Sequence, residues 1–342
     1  MLISRKKPAF PVLPALRQYL RDYDREAPLP VSYADLRSYT NSFALHDRAG
    51  HDTLWQTVYY EPQATRELSQ GLAQVYALLK TAGDLSFTEH LVADRIDFCH
   101  FGNSQPFRVR ILNQLNDNYD YFYVKQADAS RLYGLELEHL LSPNSMNFLT
   151  SGRTLIEEHI AGIPGDDFIR LRLNQPHFNQ VRTAKEFVKF NERCFARLLG
   201  DMRAYNYVID VTPDFEDEQY RVRAIDFDQQ SYEGRRSMYL PQFFKDNRPV
   251  VDLCTQLLTP ETQRQYQAEE RSLMARRARS ERYRLKALLD VMRRDELSSA
   301  DKTWQLAQEL NHYHRTTQFG RCRGMGDLVR LNLKWMLGRR DR

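Results

Sequence analysis

Three strand-like segments follow one another between residues 95 and 128, and their order limits the fold more than any other feature of the sequence. The segments RIDFCHFGN, PFRVRILNQ and DYFYVKQAD alternate or cluster β-forming residues, and the turn-rich run NQLNDNYD joins the last two. Short, turn-rich connections between such segments are typical of antiparallel pairing. The sequence therefore predicts a small antiparallel sheet in this part of the chain.

The remaining segments predict a mostly helical region that follows the sheet. The pattern indicates a helix over 129–143, a strand and Gly/Pro-rich segment over 154–166, an amphipathic helix over 181–200, and two short strands over 207–211 and 221–228. Phe187, Phe190, Cys194 and Leu198 fall on one side of the 181–200 helix. This order predicts a sheet-based lobe joined near 158–166 to a larger helical lobe, with a ligand cleft between them.

The sequence pattern of the first 93 residues predicts mostly helices. The clearest is PQATRELSQGLAQVYALLKTAGD, in which Leu68, Leu72, Val75, Tyr76 and Leu79 recur at helical spacing. We therefore expect an α+β fold in three parts: a helical N-terminal extension over 1–93, a sheet lobe over 94–160, and a helical lobe over 161–342.

Composition narrows the class of protein. Hydrophobic residues make up 42% of the 342 residues and Gly and Pro number only 14 each, which excludes a disordered or low-complexity chain. No apolar run approaches the ~18 residues of a membrane span. The four cysteines are isolated, which favours a reducing compartment over a disulfide framework. We expect a cytoplasmic protein with no transmembrane segment.

Positive charge collects in the C-terminal tail. Residues 261–342 hold 19 Lys and Arg against 11 Asp and Glu, whereas residues 1–260 are slightly acidic. The segment 270–297 spaces its apolar residues as one long helix with a basic face. Such a face commonly only keeps a protein in solution, but it also suits an anionic partner.

A set of polar residues at strand and loop ends suits phosphoryl transfer. That chemistry requires a cation on the nucleotide phosphates, carboxylate and amide oxygens on Mg²⁺, and a carboxylate that orients the attacking hydroxyl. All these types occur in a workable order, although each residue type alone is common at protein surfaces: Lys125, Glu136, Glu138, Asp201, Asn206, Asp226 and Asp228.

Residues 94–260 resemble the protein kinase-like superfamily, in particular its aminoglycoside-phosphotransferase and choline-kinase-like branch. GDMRAYN at 200–206 matches the GDxxxxN catalytic loop, and IDFD at 225–228 matches the metal-binding element of that branch. TLIEEHIAG at 154–162 looks like the hinge that meets adenine. A weaker resemblance, to lipopolysaccharide-core sugar kinases, rests on IDFD followed by Arg235 and Arg236.

The resemblance implies a two-lobed kinase-like fold that uses ATP and Mg²⁺. It implies that Lys125 holds the α- and β-phosphates, paired with Glu138 or Glu136. It further implies that Asp201 is the catalytic base and that Asn206 and Asp226 hold Mg²⁺ with help from Asp228. By the same resemblance, Asn103 and Ser104 would cover the phosphates, and Glu158 and Ile160 would offer backbone groups to adenine.

Departures from the family pattern leave the acceptor open. No GxGxxG follows the first strand, Leu199 stands where a histidine is usual, and no APE-like element follows Asp226. We therefore expect a phosphotransferase that acts on a hydroxyl of a small molecule, sugar or lipid-linked saccharide rather than an ordinary protein kinase. Two alternatives are a non-catalytic kinase-like (pseudokinase) binding module and a nucleic-acid-binding protein that uses the basic tail.

Overall fold

A seven-stranded antiparallel sheet dominates the first part of the chain. The computed structural model describes residues 7–47, 50–81, 85–101, 103–173, 175, 178–213 and 218–338. The protein is a mixed α+β protein that divides into two compact units. The first unit runs through Asp128 and includes Met146–His159, and the second takes Ala129–Ser145 and continues from Ile160.

The strands of the large sheet lie in the order β1-β2-β3-β4-β5-β7-β6, and every neighbouring pair is antiparallel. The antiparallel sheet predicted from the three segments is confirmed by β3, β4 and β5. The strands are β1 (Asn41–His46), β2 (Asp52–Tyr59), β3 (Leu91–Cys99), β4 (Phe107–Asn113), β5 (Tyr119–Gln126), β6 (Phe148–Ser151) and β7 (Thr154–Glu158).

One face of this sheet packs on the long helix α3. The described part of the first unit contains the helices α1 (Pro14–Asp22), α2 (Tyr33–Leu36) and α3 (Pro62–Thr81). Leu72 and Val75 of α3 are fully buried in a core shared with Phe98, Phe107 and Phe122 of the strands. The predicted helix and its apolar stripe are confirmed, since the helical spacing places one stripe of α3 on the sheet.

The expectation that residues 1–93 form a helical extension is wrong. This stretch also holds β1 and β2, which pair with each other and then extend the sheet by pairing with β3. Most of β1 is exposed, and Phe43 keeps 62% of its surface accessible. Such a strand lacks the half-buried alternation that identifies strands in sequence, because its formation depends on pairing with a neighbour.

The second unit consists of helices and a small three-stranded sheet. The sheet has the order β10-β9-β8, from β8 (Ile163–Pro164), β9 (Tyr207–Pro213) and β10 (Glu218–Ala224). The helices are α4 (Ala129–Leu141), α5 (Gly165–Leu171), α6 (Gln180–Arg197), α7 (Arg248–Leu257), α8 (Pro260–Ser280), α9 (Arg282–Met292), α10 (Ala300–His314) and α11 (Met325–Leu337).

Helix α6 is the centre of the second unit. It contacts α7, α8, α11 and β10, and the four residues predicted to share one side are all buried: Phe187, Phe190, Cys194 and Leu198. The prediction of an amphipathic helix is therefore confirmed. The loop that carries the candidate site follows directly from the end of this helix.

The basic segment 270–297 is two helices rather than the single helix expected. α8 ends at Ser280 and α9 begins at Arg282. No Gly or Pro marks the break. Both helices pack on α4 and α11, but α8 also packs extensively on α6. The break therefore lies where the contacts with α6 end, which local sequence does not signal. None of the described helices combines the length and apolar character needed to cross a membrane.

Candidate active site

A tight turn after α6 presents Asp201. Leu198 ends the helix in the left-handed conformation with φ 56°, and Asp201 adopts a similar φ of 58°. Between them, the N–H of Gly200 donates to the carbonyl of Gln229 at 3.2 Å, and a Cβ on Gly200 would lie 3.0 Å from that oxygen. Glycine therefore allows the loop to lie against the segment 226–230.

Asp201 is buried and anchored by its neighbours in the loop. Arg203 donates from Nε to Oδ1 of Asp201 at 3.0 Å, and Asn206 donates from Nδ2 to the Asp201 carbonyl at 2.7 Å. The N–H of Asp201 donates to the carbonyl of Met238 at 3.0 Å. These bonds fix both the backbone and the carboxylate of Asp201, so that the GDMRAYN motif forms one local structure.

Burial raises the pKa of Asp201 to about 6. The nearby Arg203 opposes this shift, and the negative charge of Asp226 adds to it. A carboxyl group with this pKa is mostly ionised at neutral pH yet accepts a proton more readily than an exposed aspartate, as a general base requires.

An arginine of helix α4 holds the two aspartates of the IDFD element. Arg131 donates from Nη2 to Oδ1 of Asp226 at 2.8 Å and from Nε to Oδ1 of Asp228 at 2.8 Å. The N–H of Asp228 also donates to Oδ1 of Asp226 at 3.0 Å. The Arg131 side chain is 2% exposed, whereas that of Asp226 is 33% exposed. Asp226 is therefore the member of this group that solvent reaches most.

Close packing of α4 against residues 227–230 positions Arg131. The hydroxyl of Ser130 donates to the carbonyl of Gln230 at 2.7 Å. Gly134 lies so near this segment that an added Cβ would be 3.0 Å from Cβ of Phe227. Arg131 was missed by the sequence analysis, although an arginine at the start of an apolar helix is the signal that could have identified it.

The first unit contains a buried ion pair on Lys125. Nζ of Lys125, on β5, lies 2.5 Å from Oε2 of Glu157 on β7, and both residues are buried. Glu157 is in register with Tyr123, two residues from Lys125 on the same face of the sheet. The side-chain period of two therefore brings the cation and the carboxylate together.

The glutamates expected to pair with Lys125 bind arginines of the second unit. Glu136 accepts from Arg284 Nη2 at 2.8 Å, and Glu138 is in contact with Arg197. The residue seen on Lys125 is Glu157, which the sequence analysis did not select. The reason is tertiary: Glu136 faces Arg284 of α9, on which α4 packs, and Glu138 faces Arg197 at the end of α6.

The residues expected to meet the nucleotide phosphates lie in a turn, and those expected to meet the base lie at and after the end of a strand. Asn103 and Ser104 lie in the turn between β3 and β4. Glu158 ends β7, where its N–H donates to the carbonyl of Asn147 at 3.1 Å, and Ile160 is buried at the start of the second unit. One backbone donor of the expected hinge is thus used within the protein. Their contact with a nucleotide remains a prediction.

The donor set of the second unit suits a hard divalent cation. Asp226 and Asp228 offer carboxylate oxygens, and the Asn206 amide nitrogen is bound to Asp201, which leaves its oxygen as the group that a metal would use. Arg131 supplies positive charge at the same carboxylates. Among the described residues, no group of three His, Cys, Asp or Glu side chains forms a metal cluster.

Comparison with known proteins gives no family. No protein-family model matches the chain, and no curated protein is significantly similar to it in sequence. The functional assignment therefore depends on the residues described above.

Proposed function

We propose that the protein is an ATP- and Mg²⁺-dependent phosphotransferase of the protein kinase-like superfamily, related to its aminoglycoside-phosphotransferase and choline-kinase-like branch. The acceptor would be a hydroxyl of a small molecule, a sugar or a lipid-linked saccharide. The observation that carries the proposal is the GDMRAYN loop. It holds a buried Asp201 with a pKa of about 6, bonded to Asn206 and close enough to Asp226 for that charge to raise its pKa.

The position of Lys125 supports the same proposal. In protein kinases the phosphate-binding lysine lies on the third strand, with a helix after it. Counting from β3, Lys125 lies on the third strand, β5, and helix α4 follows. The partner differs from the kinase pattern, because Glu157 of a neighbouring strand takes the place of a helical glutamate.

Each side chain has a distinct role in this proposal. Lys125 would hold nucleotide phosphates, and Asn206 and Asp226 would hold Mg²⁺, which neutralises charge on those phosphates when bound. Asp201 would orient the acceptor hydroxyl and take its proton at the carboxylate. The expected site of action is the cytoplasm, which agrees with the four free cysteines.

A second candidate is a non-catalytic kinase-like module, and one observation favours it. Arg131 binds both Asp226 and Asp228, and so places a fixed cation on the carboxylates expected to hold a metal. A protein that neutralises these groups with its own guanidinium has less need of Mg²⁺. The two candidates therefore differ in metal dependence.

Thermal unfolding and ATP turnover test the proposal together. We expect Mg·ATP to raise Tm more than ATP with EDTA does, since a ligand of the folded state stabilises it by mass action. Asp226→Asn should abolish the metal-dependent part of the shift, and Asp201→Asn should lower ATP turnover by orders of magnitude.

Asp252→Asn is the matched control, because Asp252 lies on α7 in an exposed pair with Arg248. It should leave both readouts unchanged. Nucleotide binding without metal dependence or turnover would favour the non-catalytic module. No response to ATP in either condition would refute both.

A further inference from the structure

The C-terminal part of the second unit contains a cavity of about 1180 Å³ with a strongly basic wall. Five cations and one carboxylate line it: Arg293, Arg321, Arg323, Arg330, Lys334 and Asp327. Two threonines and a glutamine add neutral polar groups. The wall therefore carries four more positive than negative charges.

The carboxylate of the wall is already bound. Asp327 contacts the guanidinium of Arg293 and accepts the N–H of Arg323 at 3.0 Å. Nη1 of Arg330 lies 3.3 Å from Oδ1 of Asp290, a residue outside the cavity lining. Together these contacts leave the positive charge of the wall incompletely neutralised.

Three cations of the wall have no carboxylate partner among the described residues. Arg321, Arg323 and Lys334 are exposed, and none forms an ion pair with a carboxylate in the part of the chain that the structure describes. Concentrated like charges with no partner repel one another and attract anions. We therefore expect the folded protein to be more stable with an anion bound to this wall than without one.

The elements that carry the cations pack closely on the rest of the second unit. Phe319, in the loop that precedes Arg321, is fully buried, and its N–H donates to Oδ1 of Asn311 at 2.9 Å. Gly326, in the first turn of α11, packs so closely on the end of α9 that an added Cβ would be 2.4 Å from the carbonyl oxygen of Met292. The cations therefore project from anchored elements, and Arg330 and Lys334 lie one helical turn apart on α11.

Cys322 adds no charge to the wall at neutral pH. Burial, with a contribution from Asp327, raises the pKa of its thiol to about 11. The thiol therefore stays protonated, and a role as a reactive thiolate is unsuited to this position.

We propose that this cavity binds a small molecule that carries two or more phosphate groups. Arginine side chains match phosphate oxygens in geometry and charge. The volume is near the upper end of small-molecule sites, so a single phosphate would leave most of it empty. A nucleic-acid backbone is less well matched, since it needs cations repeated along an extended groove, whereas these cations line a single depression that is open to solvent.

Calorimetric titration with inorganic tripolyphosphate tests the proposal. The variant pair Arg321→Glu/Lys334→Glu should weaken binding at least tenfold. The control pair Arg276→Glu/Arg279→Glu makes the same charge change on exposed arginines of α8 outside the cavity and should change affinity less than twofold. Unchanged thermal unfolding of both variants would show that they fold normally.

Two further measurements distinguish this cavity from the proposed nucleotide site and from a nucleic-acid interface. Binding should persist in Lys125→Met/Glu157→Leu, which replaces both members of the buried pair, so that the cavity is tested independently of the proposed nucleotide site. Equal losses in the two charge-reversal variants, or no binding by the wild-type protein, would overturn the proposal. Tight binding of an oligonucleotide that tripolyphosphate does not displace would also overturn it, in favour of nucleic-acid binding.

Discussion

Arg131 donates from Nη2 to Oδ1 of Asp226 at 2.8 Å, so that a nearly inaccessible guanidinium neutralises the most exposed carboxylate of the IDFD element. A metal and Arg131 would both stabilise negative charge on this residue. The relationship between these two groups therefore decides whether the site needs a divalent cation.

Replacing Arg131 with methionine should make the protein less stable and more responsive to metal. The loss should be on the order of 3 kcal/mol, because the variant removes the guanidinium that binds the buried Asp228. Mg·ATP should then raise Tm by more than it does in the wild type. Arg248→Met, at an exposed pair, should cost less than ~1 kcal/mol. An unchanged Mg²⁺-dependent shift in Arg131→Met would contradict competition between the arginine and the metal.

Asp201→Asn should exchange activity for stability. Because burial raises the pKa of Asp201 from 3.8 to about 6, the folded state binds this proton more tightly than the unfolded state. The resulting stabilisation is fully present below pH 3.8 and is lost as pH rises through 6.

The Asp201→Asn variant has no titrating carboxyl group at this position, so its stability does not fall as pH rises through 6. Its free energy of unfolding should exceed that of the wild type by up to ~3 kcal/mol above pH 6, with the difference vanishing towards pH 4. Urea denaturation at several pH values measures the difference. A gain that is constant with pH would show that the titration of Asp201 is not its source.

A double-mutant cycle on Lys125 and Glu157 should show strong coupling. Lys125→Met alone should cost ~3 kcal/mol or more, because it leaves Glu157 buried without this cation. The double variant Lys125→Met/Glu157→Leu should recover much of that loss and still fail to gain Tm from ATP. Additive stability losses would contradict the pairing, whereas full ATP stabilisation of the double variant would remove Lys125 from the nucleotide site.

Gly134→Ala should destabilise the protein although alanine favours helices. The helix-propensity gain of ~1 kcal/mol is opposed by contact of the new Cβ with Phe227 at 3.0 Å. We expect a net loss of ~1 to 2 kcal/mol, because the added Cβ pushes α4 away from the segment 227–230. Gly320→Ala, where the nearest atom would be 3.7 Å away, is the control and should change little. A more stable Gly134→Ala protein would show that α4 is free to shift.

Sequence patterns predicted the elements whose burial is regular. α3 and α6 each bury a helical stripe, and β4 alternates buried and half-buried residues, so their periods are visible in one dimension. β1 and the break near Glu281 depend on what each segment packs against. Such tertiary choices leave no local signal.

The candidate site likewise has a part that could be predicted from sequence and a part that could not. GDMRAYN and IDFD are short motifs whose members lie near one another in sequence, and the structure joins Asp201 to Asn206 and Asp226 to Asp228. The ionic partners that come from other elements could not be predicted. Strand register places Glu157 beside Lys125, and helix packing places Arg131 beside Asp226. The convergence of Lys125 with Asp226 stays a prediction.

Helix α4 belongs to the second unit, although it lies in the chain between two strands of the large sheet. A gene truncated after residue 159 would encode all seven strands of that sheet and still leave Arg131, Glu136 and Glu138 without the charges that neutralise them. We therefore expect this sheet, expressed without the helices that follow it in the chain, to be less stable than the same sheet in the full chain.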